Sequence, residues 1–173
     1  MRGGPPRHRI EHALCGALHD HQGETMANDL EEIEQIKQLK ARYFRHMDTR
    51  VWDEWRKCFT ADIVATYDGP PRLNMTDPVA PITCSGRDNL VAAVSGLFHV
   101  ARSVHQGYMP EIELTSPTTA KGIWSMWDYI RSPQGTFKGW GHYHEDYVKE
   151  GAEWKIKKIY LSRLHIEETW GGV

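Results

Sequence analysis

Trp124-Ser125-Met126-Trp127-Asp128 lies within a β-patterned segment and puts a carboxylate into an aromatic strand. Two later segments with a strand pattern also contain ionisable groups. Gly141-His142-Tyr143-His144-Glu145 puts two imidazoles on one strand face, and Leu161-Ser162-Arg163-Leu164 contributes a guanidinium. Burying such groups costs several kcal/mol unless they are paired or functional. This part of the chain therefore predicts a sheet that encloses a pocket with a polar end.

The order of helical and strand patterns along the chain is typical of an α+β protein. Asn28 or Asp29 can cap a helix whose apolar residues recur at helical spacing as far as Met47. A short helix, a strand, a third helix and three or four long strands follow, over about 51–59, 62–67, 86–98, 103–114, 118–131, 139–149 and 153–166. A strongly curved sheet wrapped around the first helix would form a cone with an open mouth.

The 173-residue chain is expected to form one domain, from residue 28 to residue 168. Residues 1–27 are rich in Gly, Pro, Arg and His and show no sustained period, so we expect a disordered tail or an extension upstream of a start at Met26. Residues 169–173 are expected to form a loose tail. The long polar loop Arg72–Ser85 is of the kind that covers or lines a binding site.

The composition argues against several classes of partner. A net charge of −2 gives no reason to expect a nucleic-acid or strongly anionic partner. The sequence holds no apolar run long enough for a membrane helix, and its first residues lack the apolar core of a secretory signal. The cysteines, Cys15, Cys58 and Cys84, are widely spaced, which suits a reducing cytoplasm better than a disulfide framework or a thiolate zinc site.

Several short motifs follow one another in an order known from one superfamily. They are Leu39-Lys40-Ala41-Arg42-Tyr43-Phe44-Arg45 with Met47-Asp48, Trp52-Asp53 and a strand that ends at Tyr67, His105-Gln106-Gly107-Tyr108-Met109-Pro110-Glu111-Ile112, and Thr118-Thr119-Ala120-Lys121-Gly122-Ile123-Trp124 with Asp128. From about Ile33 to Glu168 the chain resembles the SnoaL-like branch of the NTF2-like (cystatin-like cone) superfamily. Within that branch it is similar to bile acid 7α-dehydratase and, more distantly, to scytalone dehydratase.

The resemblance implies a fold and a set of site residues. The fold is an NTF2-like cone, in which a curved mixed or antiparallel sheet wraps around a long N-terminal helix. The matching positions are Tyr43 and Asp48 on the first helix, Tyr67 at the end of the first strand, a catalytic His105 with its carboxylate partner Asp128, and Arg163 on the last strand. His142, His144 and the loop Arg72–Ser85 have no counterpart in the dehydratase patterns. The superfamily also contains isomerases, cyclases, epoxide hydrolases and proteins without catalysis, so the fold does not fix the reaction.

His105 is the strongest candidate for a general base, because imidazole titrates near neutral pH. Asp128 could accept its other ring N–H and raise its basicity, or the two side chains could merely tie two strands together. Simple alternation puts His105 on the opposite face from Ile112 and Leu114. We therefore expect either a bulge near Gly107–Pro110 or a His105 that precedes the regular strand.

The other polar candidates each have two interpretations. Tyr43 and Tyr67 could donate hydrogen bonds to a substrate carbonyl as negative charge builds there, or they could be core aromatics. Asp48 lies near a helix C-terminus, where a carboxylate is disfavoured, so it either positions a tyrosine or a water molecule or caps the next helix. Arg163 could bind a substrate carboxylate or enolate. Alternatively, Arg163 could form an ion pair within the protein, with Asp128, Glu145 or Asp146.

His142 and His144 share one strand face by the two-residue period of a strand. With His105 they could form a three-histidine metal site, or they could line the pocket or face outward at a subunit contact. We predict that they bind substrate and that the site holds no metal. Trp124 and Met126 are expected to supply apolar walls of the same pocket.

Together these residues predict a lyase (a dehydratase) or isomerase that needs no cofactor and uses His105 and Asp128 for acid–base catalysis. A cyclic, mostly apolar substrate that carries a ketone and a hydroxyl, such as a steroid, a terpenoid or a polyketide-like ring, would suit the pocket. The alternatives are a binding module that has the pocket without catalysis, and an epoxide hydrolase that needs a water held by a carboxylate. Since such cones expose an apolar sheet face, a homo-oligomer, dimer or trimer, is also predicted.

Overall fold

The computed structural model describes residues 8–72 and 79–171, with side chains from Met26 onward, and it confirms the α+β class. Among these residues, three helices precede or interrupt the sheet, and four long strands follow the last helix. The helices are α1 (His8–Thr49), α2 (Trp52–Arg56) and α3 (Arg87–Leu97), and the strands are β1 (Phe59–Tyr67), β2 (Ile82–Ser85), β3 (Arg102–Ser116), β4 (Thr119–Ser132), β5 (Gly135–Glu150) and β6 (Glu153–Trp170).

The chain divides into two compact units, residues 1–35 and residues 36–173. The described part of the first unit is helical, and its side chains at Met26 and Leu30 are exposed. Helix α1 therefore begins upstream of residue 28, where the sequence pattern changes. The predicted limits of the domain and of its tails stay predictions.

The six strands form one curved, unclosed mixed sheet in the order β2-β1-β6-β5-β4-β3. β1 runs parallel to β6, and every other neighbouring pair is antiparallel. Over most of β4 and β5, buried side chains alternate with partly or fully exposed ones, as expected for strands with one face on a core. Because Trp124 pairs with Tyr143 and Asp128 with Gly139, the inward side chains of the two strands share one face.

Within the second unit, the last turns of α1 pack on this inner face. Ile36, Leu39, Tyr43 and Met47 recur at helical spacing and are at most 3% exposed. The ring of Tyr43 lies 5.6 Å from that of Trp55 in α2, 5.8 Å from Phe59 in β1 and 6.1 Å from Tyr143 in β5. Burial of such large apolar side chains stabilises the fold by about 1.5–3 kcal/mol each.

A bulge in β3 turns His105 inward. The pairing with β4 shifts between Tyr108 and Glu111, and Met109 has a φ of 41°. The consecutive residues Tyr108 and Met109 are both exposed, and the alternation of inward-facing and outward-facing side chains resumes at Pro110. The bulge expected near Gly107–Pro110 is therefore confirmed, and it lets His105 and Ile112 lie on the same side of the sheet.

The predicted loop Arg72–Ser85 contains a strand that the sequence pattern did not indicate. β2 is only four residues long and pairs antiparallel with β1, from Val64 with Ser85 to Tyr67 with Ile82. Part of the loop, residues 73–78, lies outside the described residues. The second helix is also shorter than expected, since it ends at Arg56 and the chain enters β1 at Phe59.

Candidate active site

A cavity of about 320 Å³ opens between α1, α3, β2 and the inner face of the sheet. Its walls are mostly apolar, with a small number of polar groups, which is the usual make-up of a small-molecule site. The apolar part includes Met47, Ile82, Val94, Leu97, Ile130 and Leu161. The polar part consists of His105, Asp128, Arg163 and the phenols of Tyr43, Tyr67 and Tyr143.

His105 is held by Asp48, which reaches it from the last turn of α1. The Nδ1 of His105 lies 2.7 Å from Oδ1 of Asp48, and the backbone N–H of His105 donates to Oδ2 at 2.8 Å. Ser103 donates its hydroxyl to the same carboxylate at 2.7 Å. A carboxylate only accepts hydrogen bonds, so the neutral imidazole carries its proton on Nδ1 and keeps the lone pair on Nε2. This arrangement is that of an oriented general base.

Asp128, the expected partner of His105, is paired with Arg163 instead. The guanidinium donates to both carboxylate oxygens, at 2.8 and 2.7 Å, in a bidentate ion pair that is almost completely buried. The register does place Asp128 directly opposite His105, yet Nε2 lies 3.9 Å from Oδ2, beyond hydrogen-bond distance. The carboxylate therefore lies near Nε2 without binding it.

Two phenylalanines flank the imidazole ring of His105. Phe44 stacks on it with 6.3 Å between ring centroids, and Phe98 meets it edge-on at 5.9 Å. Phe44 can approach because residue 107 is a glycine; a Cβ there would lie 2.7 Å from its ring. The flanking rings limit the access of water to the imidazole and fix its plane.

Three phenols converge on the cavity. Burial raises the pKa of Tyr43, Tyr67 and Tyr143, so all three keep their protons at neutral pH and can act as donors. The Tyr67 hydroxyl lies near that of Tyr43, but it is buried and makes no hydrogen bond of good geometry with the described residues. A buried hydroxyl without a partner is costly, and a ligand oxygen in the cavity would satisfy it.

Tyr143 is a site residue that the sequence interpretation missed. Two histidines flank it, and the two-residue period puts Tyr143 on the opposite face from both. Tyr143 pairs with Trp124, and both are buried, which shows that their face is the inward one. The signal was therefore present in the alternation of β4 and β5.

His142 and His144 lie outside the cavity, on the outer face of β5. His144 contacts Ser162 at 3.2 Å and stacks on Tyr160, in an open groove of that face. Within residues 8–72 and 79–171, no group of three or more His, Cys, Asp or Glu side chains is arranged to hold a metal ion. The structure thus separates these two imidazoles from His105 by the thickness of the sheet.

Trp124 and Met126 face inward but lie behind the cavity wall. The indole of Trp124 donates to the Tyr147 hydroxyl at 2.8 Å, and the sulfur of Met126 lies 3.4 Å from Nη1 of Arg163. Both side chains therefore contact residues that surround the site.

In the described part of the chain, no helix is long and apolar enough to cross a membrane.

A family model described as "SnoaL-like domain" matches residues 28–160. Among curated proteins, "Probable cyclase FGR4" of Gibberella zeae is 25% identical over 134 residues, which cover 75% of this chain and 89% of that protein.

Solved structures with the same fold include several from the genus Novosphingobium. The "Putative Scytalone Dehydratase" of N. aromaticivorans has a TM-score of 0.69 at 19% identity, over 82% of this chain and 90% of that one. The hexachlorocyclohexane dehydrochlorinase LinA-type3 of N. barchaimii has a TM-score of 0.67 at 15% identity, over 83% and 93%. At such identities the likeness concerns the fold.

Proposed function

We propose that this chain, which belongs to the family of SnoaL-like domains, is a lyase or isomerase that removes a proton from a cyclic keto alcohol without the help of a cofactor. The observation that carries this proposal is the hydrogen bond between Asp48 and His105 at the cavity, which presents Nε2 as a base. The cavity is mostly apolar, and the ring of the substrate would occupy it.

In the first step, Nε2 of His105 takes a proton from a carbon α or γ to the carbonyl. The electron pair of the broken C–H bond moves towards the carbonyl oxygen and forms an enolate. Hydrogen bonds from Tyr67, and from Tyr43 and Tyr143 beside it, would stabilise that oxygen as its charge grows. Asp48 and the nearby Asp128 would stabilise the imidazolium.

In the second step, the imidazolium returns the proton to the departing hydroxyl. The enolate electrons form a carbon–carbon double bond, the C–O bond breaks, and water leaves. The net reaction is the elimination of one water, with His105 restored to its neutral form. Return of the proton to a different carbon would give an isomerase with the same machinery, so the site favours neither outcome by itself.

The proposal can be tested with a panel of cyclic β-hydroxy ketones in D₂O. Mass spectrometry follows the loss of water, and exchange of the α-proton reports the first step even where elimination is slow. His105→Gln and Asp48→Asn should each reduce the rate by about 10²–10⁴. His165→Gln is the matched control, because His165 is 63% exposed and outside the cavity. Full activity in His105→Gln would contradict the proposal, and ligand binding without exchange in the native protein would indicate a binding module.

Epoxide hydrolysis is a second candidate, favoured by the ion pair of Asp128 and Arg163 at the cavity wall. Such a reaction needs a carboxylate to hold the attacking water and an acid to protonate the epoxide oxygen, for which the tyrosines qualify. Incubation with cyclic epoxides in H₂¹⁸O would give a labelled diol if this is the activity. Absence of a diol together with exchange of ketone α-protons would favour the lyase or isomerase.

A homo-oligomer is proposed from the outer face of the sheet. Ile123, His144, Tyr160 and Thr66 lie side by side across four strands. Ile123 and Tyr160 are each 38% exposed, so this row presents apolar surface to its surroundings. Light scattering after size exclusion should give the mass of a dimer or trimer, and Ile123→Asp should shift it towards the 19.9 kDa monomer.

A further inference from the structure

Lys40 is a fully buried lysine that the proposed reaction does not use. It lies on α1, one turn before Phe44, and its side chain has no exposed surface. The ammonium makes a 2.5 Å ion pair with Glu145 of β5, whose side chain is equally buried. Lysine is rarely buried to this extent, so its place in the structure calls for a reason.

Three aromatic rings surround the same ammonium. Its nitrogen lies 3.6 Å from the ring centroid of Tyr143, 4.2 Å from that of Tyr43 and 4.7 Å from that of Phe44. These distances are well within the range of cation–π attraction, which is strongest where water is excluded. Two of the three rings, those of Tyr43 and Tyr143, also line the cavity.

Glu145 is itself held from two sides. One oxygen accepts from Lys40, and the other accepts from the Tyr147 hydroxyl, which in turn accepts from the indole of Trp124 at 2.8 Å. Burial lowers the pKa of Lys40, and its ion pair with Glu145 opposes that effect. The network fixes the ammonium against the aromatic rings and leaves both carboxylate oxygens satisfied.

Stability alone is a weak reason for such a pair. Taking two charges out of water has a large desolvation cost, and well-packed apolar residues in the place of a buried ion pair are often as stable or more so. A role in the cavity is a stronger reason, because a cation over the face of a phenol draws electron density from its ring and oxygen. The hydroxyl then becomes a stronger hydrogen-bond donor.

We propose that Lys40 is a positioning residue of the candidate active site, which acts through the rings of Tyr43 and Tyr143 and strengthens their hydroxyl groups as donors to a ligand oxygen. The ammonium itself does not touch the ligand, since the cavity lining formed by the described residues does not include it. This inference rests on the proposed function, in which negative charge develops on that oxygen.

The test uses a series of substituted 2-naphthols as probes, because they place a phenolic oxygen on an apolar ring system. Absorbance distinguishes bound naphthol from bound naphtholate, so the titration of each complex gives the pKa of the bound probe. Lys40→Met combined with Glu145→Gln removes the ion pair without leaving an unpaired buried charge. Lys157→Met with Asp62→Asn is the matched control, since it removes an ion pair exposed at the surface.

The native protein and the control should both lower the pKa of the bound probe relative to water. In Lys40→Met with Glu145→Gln, the preference for naphtholate over naphthol should weaken about tenfold, a rise of one unit in the bound probe's pKa. Affinity for the neutral naphthol should change little, which a purely structural role would not produce. Lys40→Gln with Glu145→Gln retains a polar contact at the same place and should give the same result.

An unchanged preference for naphtholate in either folded double variant would overturn the inference and leave the proposed function intact. Failure of both double variants to fold would also overturn it, because the pair would then serve the core. If naphthols do not bind the native cavity, the proposed oxygen-binding site itself is contradicted, and the inference falls with it. Circular dichroism and thermal unfolding identify the second outcome, and titration of the native protein alone identifies the third.

Discussion

Gly139 lies directly against the ion pair of Asp128 and Arg163. A Cβ at position 139 would come within 2.5 Å of Oδ1 of Asp128 and closer still to Nη1 of Arg163. Gly139 is also the partner of Asp128 in the pairing of β4 with β5. The glycine is therefore required for space, and the bidentate geometry at the cavity depends on the absence of a side chain there.

Gly139→Ala should separate the two charged groups and reduce activity at least tenfold. The free energy of unfolding should fall by about 1–3 kcal/mol, because the added methyl overpacks a buried site. Gly96→Ala is the control: residue 96 lies in α3 with no neighbouring atom within 4 Å of an added Cβ. It should stabilise the protein by about 0.5–1 kcal/mol. Wild-type activity in Gly139→Ala would show that the ion pair has no role in the site.

Tyr67→Phe should affect function and stability in opposite directions. The hydroxyl has no hydrogen-bond partner among the described residues, so its removal should leave the free energy of unfolding unchanged or raise it by up to about 1 kcal/mol. Binding of a ring ketone should weaken, and turnover should fall about 10–100-fold, since the donor is lost.

Tyr147→Phe is the natural comparison for that variant. The Tyr147 hydroxyl accepts from Trp124 and donates to Glu145, so its loss leaves buried groups unsatisfied and should cost about 1–3 kcal/mol. Denaturant unfolding and ligand titration measure both effects. A Tyr67→Phe protein as destabilised as Tyr147→Phe would contradict the assignment of Tyr67 to the cavity.

The segment Asp68–Arg72 contributes to the cavity wall and is held at its far end by Glu168. The backbone N–H of Arg72 donates to Oε1 of Glu168 at 3.0 Å, and its guanidinium donates to Oε2. Within this segment, Pro70 and Pro71 form part of the cavity lining.

Glu168→Gln should therefore weaken the binding of a 2-naphthol several-fold, mainly through faster dissociation, with a loss of roughly 1 kcal/mol in stability. Stopped-flow fluorescence gives the dissociation rate. Glu167→Gln, which removes an exposed ion pair with Lys138, is the control and should leave that rate unchanged. Equal dissociation rates in the two variants would show that Asp68–Arg72 does not control the exit of a ligand from the cavity.

The stability of the protein should fall at high pH in part because of Cys58. Burial raises the pKa of its thiol to about 11 from the ordinary value of 9.0. Between these values the unfolded chain loses the proton and the folded one keeps it, so stability falls as pH rises, by roughly 2–3 kcal/mol in total.

In Cys58→Ala, this part of the decrease in stability with rising pH should be absent. The buried tyrosines titrate in the same direction but are present in both proteins, so the difference between them isolates the thiol. Urea unfolding at pH 8, 10 and 11 measures it. Parallel pH profiles for the two proteins would contradict the burial of the Cys58 thiol.

The long periodic elements could be predicted from the sequence, because packing on one face imposes their pattern. The strand expected over 118–131 is β4, and that expected over 153–166 is the greater part of β6. β2 could not be predicted in this way. It is four residues long, lies between prolines and a helix, and forms only because β1 offers it a free edge.

Part of the candidate site could be predicted too, but not its pairing. His105 and Asp128 were expected to be neighbours, and they are directly opposite in the register. The choice of carboxylate that binds the imidazole depends on how the end of α1 packs on the sheet and on whether Arg163 can reach Asp128. Strand alternation predicts neither of these. Tyr143 is absent from the predicted site, although strand alternation alone puts it on the face opposite His142 and His144.

The hydrogen bond to Asp48 should fix the tautomer of His105 and leave Nε2 as the base. ¹⁵N NMR of histidine-labelled protein tests it without a substrate, with His105→Gln to assign the resonances. At a pH where the imidazole is neutral, we expect a protonated Nδ1 and an unprotonated Nε2, and loss of this preference in Asp48→Asn. A proton on Nε2 of His105 in the native protein would contradict it.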